Sequence, residues 1–230
     1  MSLDREWGEV LDRYELPYFR MSSCAHGNYP FNKLSRDVRI EVETSVIELI
    51  NKYAAFGVAV AVNEADYRRW FPRGNHIGSP YAYCCWQVMA GIFNWMNKRN
   101  FEGHTSYFFE AGHASQSEAN ALMMRIFNDP RLRQQYRYAN HRFVDKEKVR
   151  PVQTADILAW QYATQVKRWI KGDNRMRADC RALMAKPQHE VFIATRKTLA
   201  ETIAYANWEK GTLEPGISGF FGDQWFYCQF

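Results

Sequence analysis

The fold is decided by one stretch of the sequence, Phe56-Gly57-Val58-Ala59-Val60-Ala61-Val62. It is a continuous run of small apolar residues without polar alternation, which is typical of a parallel-sheet strand covered on both faces. A helical pattern precedes this run, capped by Ser35 and extending to about Tyr53, and a short helix opens after it at residues 63–66. A strand between two helices predicts the α/β class.

The same alternation continues in both directions from this strand. Hydrophobic periodicity, helix caps and turn residues predict three further strands and a series of further helices. The predicted strands are residues 16–21, the run that ends at Glu110, and residues 136–144; the predicted helices lie around residues 3–14, 79–100, 115–128 and 151–171. We therefore expect an α/β fold in which a mixed, mostly parallel sheet is flanked by helices.

The pattern changes after Lys171. We expect residues 1–171 to form the α/β domain and residues 172–230 to form a helical extension, with helices around 175–184 and 195–210. The last residues, 220–230, are dominated by aromatic side chains. Because an exposed apolar surface of this kind is unfavourable in water, we expect the tail to pack on the domain or to form a homo-oligomer contact.

Composition and charge narrow the class of protein. The formal net charge of +5 is compatible with a polyanionic partner such as nucleic acid, although the basic residues are dispersed. Five cysteines without paired spacing argue against a disulfide framework and favour reduced thiols. No apolar run reaches the roughly 18 residues of a membrane span, and the first residues lack the pattern of a secretory signal. We therefore expect a cytoplasmic protein that does not cross a membrane.

Two acidic residues stand in positions suited to chemistry. Glu110 ends an apolar, aromatic strand, at the edge where α/β sheets bind ligands, and Asp156 lies among apolar neighbours in the first turns of a helix. A buried carboxylate needs a cation, a metal ion or hydrogen-bond donors. His113 follows Glu110 in the same loop, and His26 follows the predicted strand 16–21. We therefore treat all four as candidate site residues.

These residues also have structural interpretations. Glu110 can cap or form an ion pair at the entry to a loop, and Asp156 can pair with a cation such as Arg150. Lys146 and Lys148 precede the helix of Asp156, and either could neutralise the charge of a substrate. The sequence contains no phosphate-binding P-loop, no dinucleotide-binding glycine pattern and no serine-hydrolase elbow, which excludes those simple assignments.

Four runs of the sequence carry a resemblance to a known family: residues 16–21, 24–27, 107–113 and 152–160. The most specific of them contains a Gln-x-Ala-Asp pattern, matched by Gln153, Ala155 and Asp156. Together they resemble the domain of unknown function 3800 family, over roughly residues 7–171. The resemblance implies a ribonuclease H-like fold and a biochemical role that is largely unassigned.

The resemblance also implies where a site would lie. Members of the family typically begin with a strand that ends in an Asp-Glu-Ser-Gly-like motif. Its Asp would gather with an acid on a later strand and with the Asp of Gln-x-Ala-Asp. These last two correspond to Glu110 and Asp156, and the basic residue before the motif corresponds to Lys146 or Lys148. The opening motif is absent from this chain, so we expect the domain of residues 1–171 to be N-terminally incomplete.

Three hypotheses about function follow. The first is a divalent-metal-dependent phosphodiesterase acting on nucleic acid, with Mg²⁺ or Mn²⁺ bound by Glu110 and Asp156, and with His113, His26 and Lys148 as further catalytic residues. The second is a catalytically inactive binding or interaction module. The third is a metal-independent small-molecule hydrolase that uses His26, His113 and Glu110. A further acid beside the two carboxylates would favour the enzyme, whereas pairing with Lys or Arg would favour a structural role.

Overall fold

The computed structural model describes residues 2–71, 77–186 and 188–208. Within these residues the chain has an α/β fold, and the predicted aromatic tail at 220–230 lies outside them. The helices are α1 (Leu3–Arg13), α2 (Met21–His26), α3 (Arg36–Tyr53), α4 (Glu64–Trp70), α5 (Pro80–Lys98), α6 (Gln116–Asn128), α7 (Pro130–Gln135), α8 (Arg150–Ile170), α9 (Ala178–Met184) and α10 (Arg196–Trp208), with a 3-10 turn at Phe31–Lys33. The strands are β1 (Phe56–Val62), β2 (Thr105–Glu110), β3 (Tyr138–Val144) and β4 (Gln188–Ala194).

The strands of the described residues pair as two small parallel sheets rather than as one mixed sheet. β1 pairs with β4, and β2 pairs with β3. The register of the first sheet places Gly57 opposite His189. A Cβ atom at Gly57 would come within 2.2 Å of the imidazole Cδ2 of His189, so a larger residue here would force that ring to move.

The deciding stretch is confirmed as a strand that is packed on both faces. On one face Ala59 contacts Tyr162 and Val166 of α8. On the other face Val60 packs, with Phe192 of β4, against the core that α5 and α6 build. Within the described residues β4 is the one strand hydrogen-bonded to β1, so β1 is not the centre of a wide sheet as expected.

Side-chain caps fix the starts of two long helices that were predicted from the sequence, α3 and α5. Ser35 Oγ accepts a hydrogen bond from the backbone N–H of Val38 at 3.3 Å, which fixes the start of α3. Ser79 caps α5 in the same way, with Pro80 at the first helical position. Ser115 precedes α6 as predicted, but its side chain makes no capping hydrogen bond.

Two expectations about the elements are wrong. Residues 16–21 do not form a strand, since an extended segment leads instead into α2, and Gly27 ends that helix with a φ of +67°. The segment 172–230 is not purely helical, because β4 lies within it. The predicted boundary after Lys171 therefore separates β1 from the strand with which it pairs.

The N-terminal part of the chain has a hydrophobic cluster of its own. Trp7 of α1 packs edge-to-face on Phe19, with ring centroids 6.1 Å apart, and Phe19 packs in turn on Phe31 at 5.5 Å. Val42 and Val46 of α3 complete this cluster. The cluster holds the segment before α2 against α8. No helix within the described residues is both long and apolar enough to cross a bilayer.

Candidate functional site

The two carboxylates singled out by the sequence meet at Lys146. The ammonium Nζ lies 2.8 Å from Glu110 Oε1 and 3.0 Å from Asp156 Oδ1. Glu110 is the last residue of β2 and pairs in register with Val144, the last residue of β3. Because the carboxyl ends of parallel strands lie at one edge of a sheet, Glu110 lies close to the segment after β3, which carries Lys146. The start of α8 brings Asp156 to the same place.

Burial differs among the members of this centre, which we call the Lys146 centre (Glu110, Lys146 and Asp156). The side chain of Lys146 is 9% exposed and that of Asp156 is 18% exposed, whereas that of Glu110 is 46% exposed. A buried ammonium is costly unless it is paired. Two carboxylates satisfy Lys146, and Glu110 forms the solvent-facing side of the centre.

Asp156 also fixes the start of α2. Its second oxygen, Oδ2, accepts a hydrogen bond of 2.9 Å from the backbone N–H of Met21, the first residue of that helix. A carboxylate at this position satisfies an N–H that has no partner within the helix. Both oxygens of Asp156 are therefore engaged, one by Lys146 and one by α2.

Gln153, the first residue of the Gln-x-Ala-Asp pattern, is fully buried and joins three parts of the chain. Its Oε1 accepts hydrogen bonds from the indole N–H of Trp7 at 2.8 Å and from the backbone N–H of Phe19 at 3.0 Å. Its Nε2 donates to the backbone carbonyl of Lys146 at 2.8 Å. These contacts explain why residues 16–20 are extended without being a strand, because side chains of α8 take the N–H groups that a neighbouring strand would have bound.

The two histidines occupy structural positions. His113 stacks on Tyr81 with ring centroids 4.0 Å apart, and its Nδ1 accepts from the backbone N–H of Ser115 at 3.0 Å. His26 is the last residue of α2, and its ring nitrogen lies 2.7 Å from the carbonyl oxygen of Ser22. His26 lines a groove between α2, α3, α8 and α9 that includes neither His113 nor Glu110. The arrangement required by the small-molecule hydrolase hypothesis is therefore not present in that groove.

Of the two lysines proposed from the sequence, Lys146 and Lys148, only the first contacts the carboxylates. The side chain of Lys148 is 81% exposed, and its Nζ lies 3.6 Å from Asp145. Lys146 is the cation at the carboxylates instead. The alternative partner of Asp156, Arg150, pairs with Asp4 at 3.3 Å. Asp156 therefore has a lysine partner, as one structural interpretation required, but the partner is Lys146.

The donor set does not fit a metal ion that both carboxylates would share. The ammonium of Lys146 lies between Glu110 and Asp156, where such an ion would have to lie, and both oxygens of Asp156 already have partners. Among the described residues there is no group of three or more His, Cys, Asp or Glu side chains placed to hold a metal. Within the part of the chain that the structure describes, Glu110 is the member of the centre that has one carboxylate oxygen outside these contacts.

A second pair of carboxyl groups, Glu43 and Asp179, was not predicted from the sequence. Glu43 of α3 is 9% exposed and accepts a hydrogen bond of 2.9 Å from Gln161 Nε2. Asp179 is bound by the guanidinium of Arg177. The spacing of the sequence could have predicted that Glu43 is buried, because it lies one helical turn before Val46 and Ile47 on the buried face of α3.

The environments of these two carboxyl groups separate their pKa values. Burial, and then the charge of Asp179, raise the pKa of Glu43 to about 7, against smaller opposing effects of Arg177 and Gln161. Burial also acts to raise the pKa of Asp179, but hydrogen bonds from Arg177, Gln161 and the backbone of Cys180 outweigh it and hold that pKa at about 2. Between these two pKa values the pair carries close to one negative charge, which Arg177 balances, and ionisation of Glu43 near pH 7 adds a second.

Replacing Glu43 by glutamine is expected to change how stability depends on pH. The folded-state pKa of Glu43, about 7, lies above its ordinary value of 4.5, so the folded protein loses stability as pH rises between those values. The loss is at most about 3 kcal/mol. Glutamine stays neutral, so Glu43→Gln should be more stable than the wild type by about 1–3 kcal/mol at pH 8 and about equal at pH 5.

Urea unfolding of both proteins at pH 5, 6, 7 and 8 measures this difference. Asp179 contributes in the opposite sense, but only below its ordinary value of 3.8, outside this range. The matched control is Glu48→Gln, which removes a carboxylate from an exposed position of the same helix. A pH-independent difference for Glu43→Gln would contradict the assignment.

Comparisons with protein-family models, with curated proteins and with solved structures found no match to this chain. The chemistry of the site therefore rests on the contacts described above.

Proposed function

We propose that this chain is a catalytically inactive binding module. We propose for it the ribonuclease H-like fold that the resemblance to the domain of unknown function 3800 family implies. In this proposal the Lys146 centre is a structural ion-pair centre and not a metal site. The observation that carries the proposal is the position of Lys146 Nζ, within 3.0 Å of both Glu110 and Asp156.

Two further features support a structural role for the centre. Asp156 and Gln153 lie one turn apart on α8; Gln153 binds the backbone N–H of Phe19, before α2, and Asp156 binds that of Met21, the first residue of α2. Gln153 also binds the carbonyl of Lys146 itself. The Gln-x-Ala-Asp pattern therefore joins α1, α2, α8 and the segment after β3. These structural contacts are sufficient to explain why Gln and Asp occupy the two positions, without a catalytic role.

Nucleic acid is the partner that we propose for the module. The formal net charge of +5 favours association with a polyanion. Four cysteines in the described residues are free thiols, which supports the proposed cytoplasmic location. A homo-oligomer built through the aromatic tail at residues 220–230 remains a separate proposal, since that tail lies outside the described residues.

The metal-dependent phosphodiesterase is the second candidate function. The observation that favours it is the exposure of Glu110, whose side chain is 46% accessible. Mg²⁺ is commonly held by one or two protein carboxylates, with waters and substrate phosphates as the other ligands. A single ion on Glu110 would therefore be compatible with the ion pair between Lys146 and Asp156, whereas an ion shared by both carboxylates would not.

Calorimetric titration with Mg²⁺ and with Mn²⁺ tests the proposal. We expect the wild type and Asp156→Asn to give no saturable heat with either ion at concentrations up to about 5 mM. A dissociation constant above that concentration would be too weak for a functional site of this chemistry. Asp12→Asn, at an exposed position of α1, is the control for non-specific association of cations with carboxylates. Saturable binding in the wild type and in Asp12→Asn that is lost in Glu110→Gln or in Asp156→Asn would overturn the proposal in favour of the phosphodiesterase.

A further inference from the structure

A groove with a volume of about 1310 Å³ lies between α2, α3, α8 and α9. It is separate from the Lys146 centre, since none of the three residues of that centre lines it. Drug-sized ligands occupy pockets of roughly 300–1,000 Å³, so the groove has room for a larger or extended ligand.

Three cations of this groove have no carboxylate partner among the described residues. They are Arg36 and Arg39 of α3 and Lys167 of α8, and each lines the groove without appearing in an ion pair. Arg36 and Arg39 lie one turn apart at the start of an 18-residue helix, whose N-terminal end favours anions. The Nη1 of Arg39 donates to the backbone carbonyls of Cys24 and Ala25, whereas its buried Nε has no acceptor among the described residues. This part of the groove is suited to phosphate groups.

The remaining wall of the groove is aromatic and polar. Trp160 of α8 is half-buried, with the guanidinium of Arg177 5.3 Å from its ring and His26 6.5 Å away edge-on. Beside them lie the carboxyl groups of Glu43 and Asp179. An aromatic ring next to hydrogen-bonding groups can receive a nucleobase, which has a flat face and a polar edge.

We propose that this groove binds single-stranded nucleic acid, with its phosphates at Arg36, Arg39 and Lys167 and one base on Trp160. The inference rests on the proposed function and names the partner surface of the module. A strand is favoured over a single nucleotide by the volume of the groove. A nucleic-acid strand is favoured over an acidic peptide by the acidic residues of the groove. Carboxylates of a peptide would be repelled by Asp179 and the exposed Glu48, whereas the edges of nucleobases carry no charge.

The face of α8 that lines the groove leads toward the Lys146 centre. Asp156, Trp160, Thr164 and Lys167 follow one face of α8 at helical spacing, and they cover roughly 16 Å of its length. α2 spans the same interval, with its first residue bound by Asp156 and its last residues lining the groove. A strand bound at Lys167 and Trp160 would therefore point toward Glu110, the exposed member of the centre.

Fluorescence anisotropy with a labelled ten-nucleotide single strand tests the proposal, in EDTA and at 50–200 mM salt. We expect Trp160→Leu to weaken binding by about 5- to 100-fold, since a stacked base contributes about 1–3 kcal/mol. The double variant Arg36→Gln and Lys167→Gln should reduce the slope of log K against log salt by about 1.4, because two phosphate contacts are removed. Both variants should retain the wild-type circular dichroism spectrum, because Arg36 and Lys167 are exposed and Trp160 lies at the groove surface.

The matched control removes two exposed cations outside the groove, in the double variant Arg13→Gln and Lys186→Gln. It has the same net charge as the groove double variant and should bind the strand like the wild type. Equal losses in both double variants, or no binding by the wild type, would overturn the proposal. So would tighter binding of a labelled mononucleotide or of a ten-residue polyglutamate peptide. Because EDTA removes divalent ions, this measurement tests the groove alone. Metal binding, which would overturn the proposed function, is detected separately in the calorimetric titration.

Discussion

Replacing Lys146 by methionine is expected to lower the free energy of unfolding by about 3 kcal/mol at neutral pH. Methionine keeps most of the volume of the lysine stem but removes the ammonium, so Asp156 and Glu110 are left facing each other without a cation. The cost lies below that of a fully buried pair, because Glu110 is half-exposed and can turn toward water. Urea unfolding of the wild type and Lys146→Met measures the difference.

Lys148→Met is the matched control for this prediction. It removes the same charge two residues along the chain, from a side chain that is 81% exposed and 3.6 Å from its acidic neighbour. Its effect should stay within about 0.5 kcal/mol, as for most surface substitutions. If the two substitutions cost the same, the ammonium of Lys146 is not the group that holds the two carboxylates together.

Replacing Gln153 by methionine is expected to cost about 3–5 kcal/mol. The change leaves the indole N–H of Trp7, the backbone N–H of Phe19 and the carbonyl of Lys146 without their partner in a buried setting. Each unpaired buried group costs about 1–3 kcal/mol. Thermal and urea unfolding should both show the loss, and the fluorescence of the protein should report a change around Trp7.

Gln165→Met tests whether the number of hydrogen bonds is the cause. Gln165 is another buried glutamine of α8, but it makes one long hydrogen bond, of 3.3 Å, to the carbonyl of Arg175. Its Oε1 is buried without a partner among the described residues. We therefore expect its replacement to cost less than about 1 kcal/mol or to be neutral. Similar losses at both positions would mean that side-chain packing, and not the three contacts of Gln153, determines the effect.

The parts of the fold that local sequence determines could be predicted. The run of small apolar residues at β1 and the caps at Ser35 and Ser79 were sufficient to place one strand and two long helices. β4 was missed because its strand character depends on pairing with a segment far away in the chain. The sequence predicts a strand at residues 16–21 because an extended segment whose N–H groups bind the side chains of Gln153 and Asp156 has the same apolar pattern as a strand in a sheet.

The candidate site was predictable in its acids but not in its cation. Glu110 and Asp156 were recognised from their positions at the end of a strand and the start of a helix, and they do meet. Lys146 and Lys148 are two residues apart in a turn, where the direction of a side chain does not follow a simple period. Tertiary packing alone decides that Lys146 points inward. Glu43 was missed because an acid on an apolar helix face is normally read as an interruption of that face.

The pairing of β1 with β4 has a consequence for the synthesis of the chain. The partner of β1 lies about 130 residues further along, so β1 leaves the ribosome long before the strand that covers its edge. Until then its backbone N–H and C=O groups on that side are open to any other extended segment, including one from a neighbouring nascent chain. A contact this distant in sequence also slows folding. Chains that stop before residue 188 should therefore accumulate as aggregates, although α5 and α8, which pack against β1, are already encoded in them.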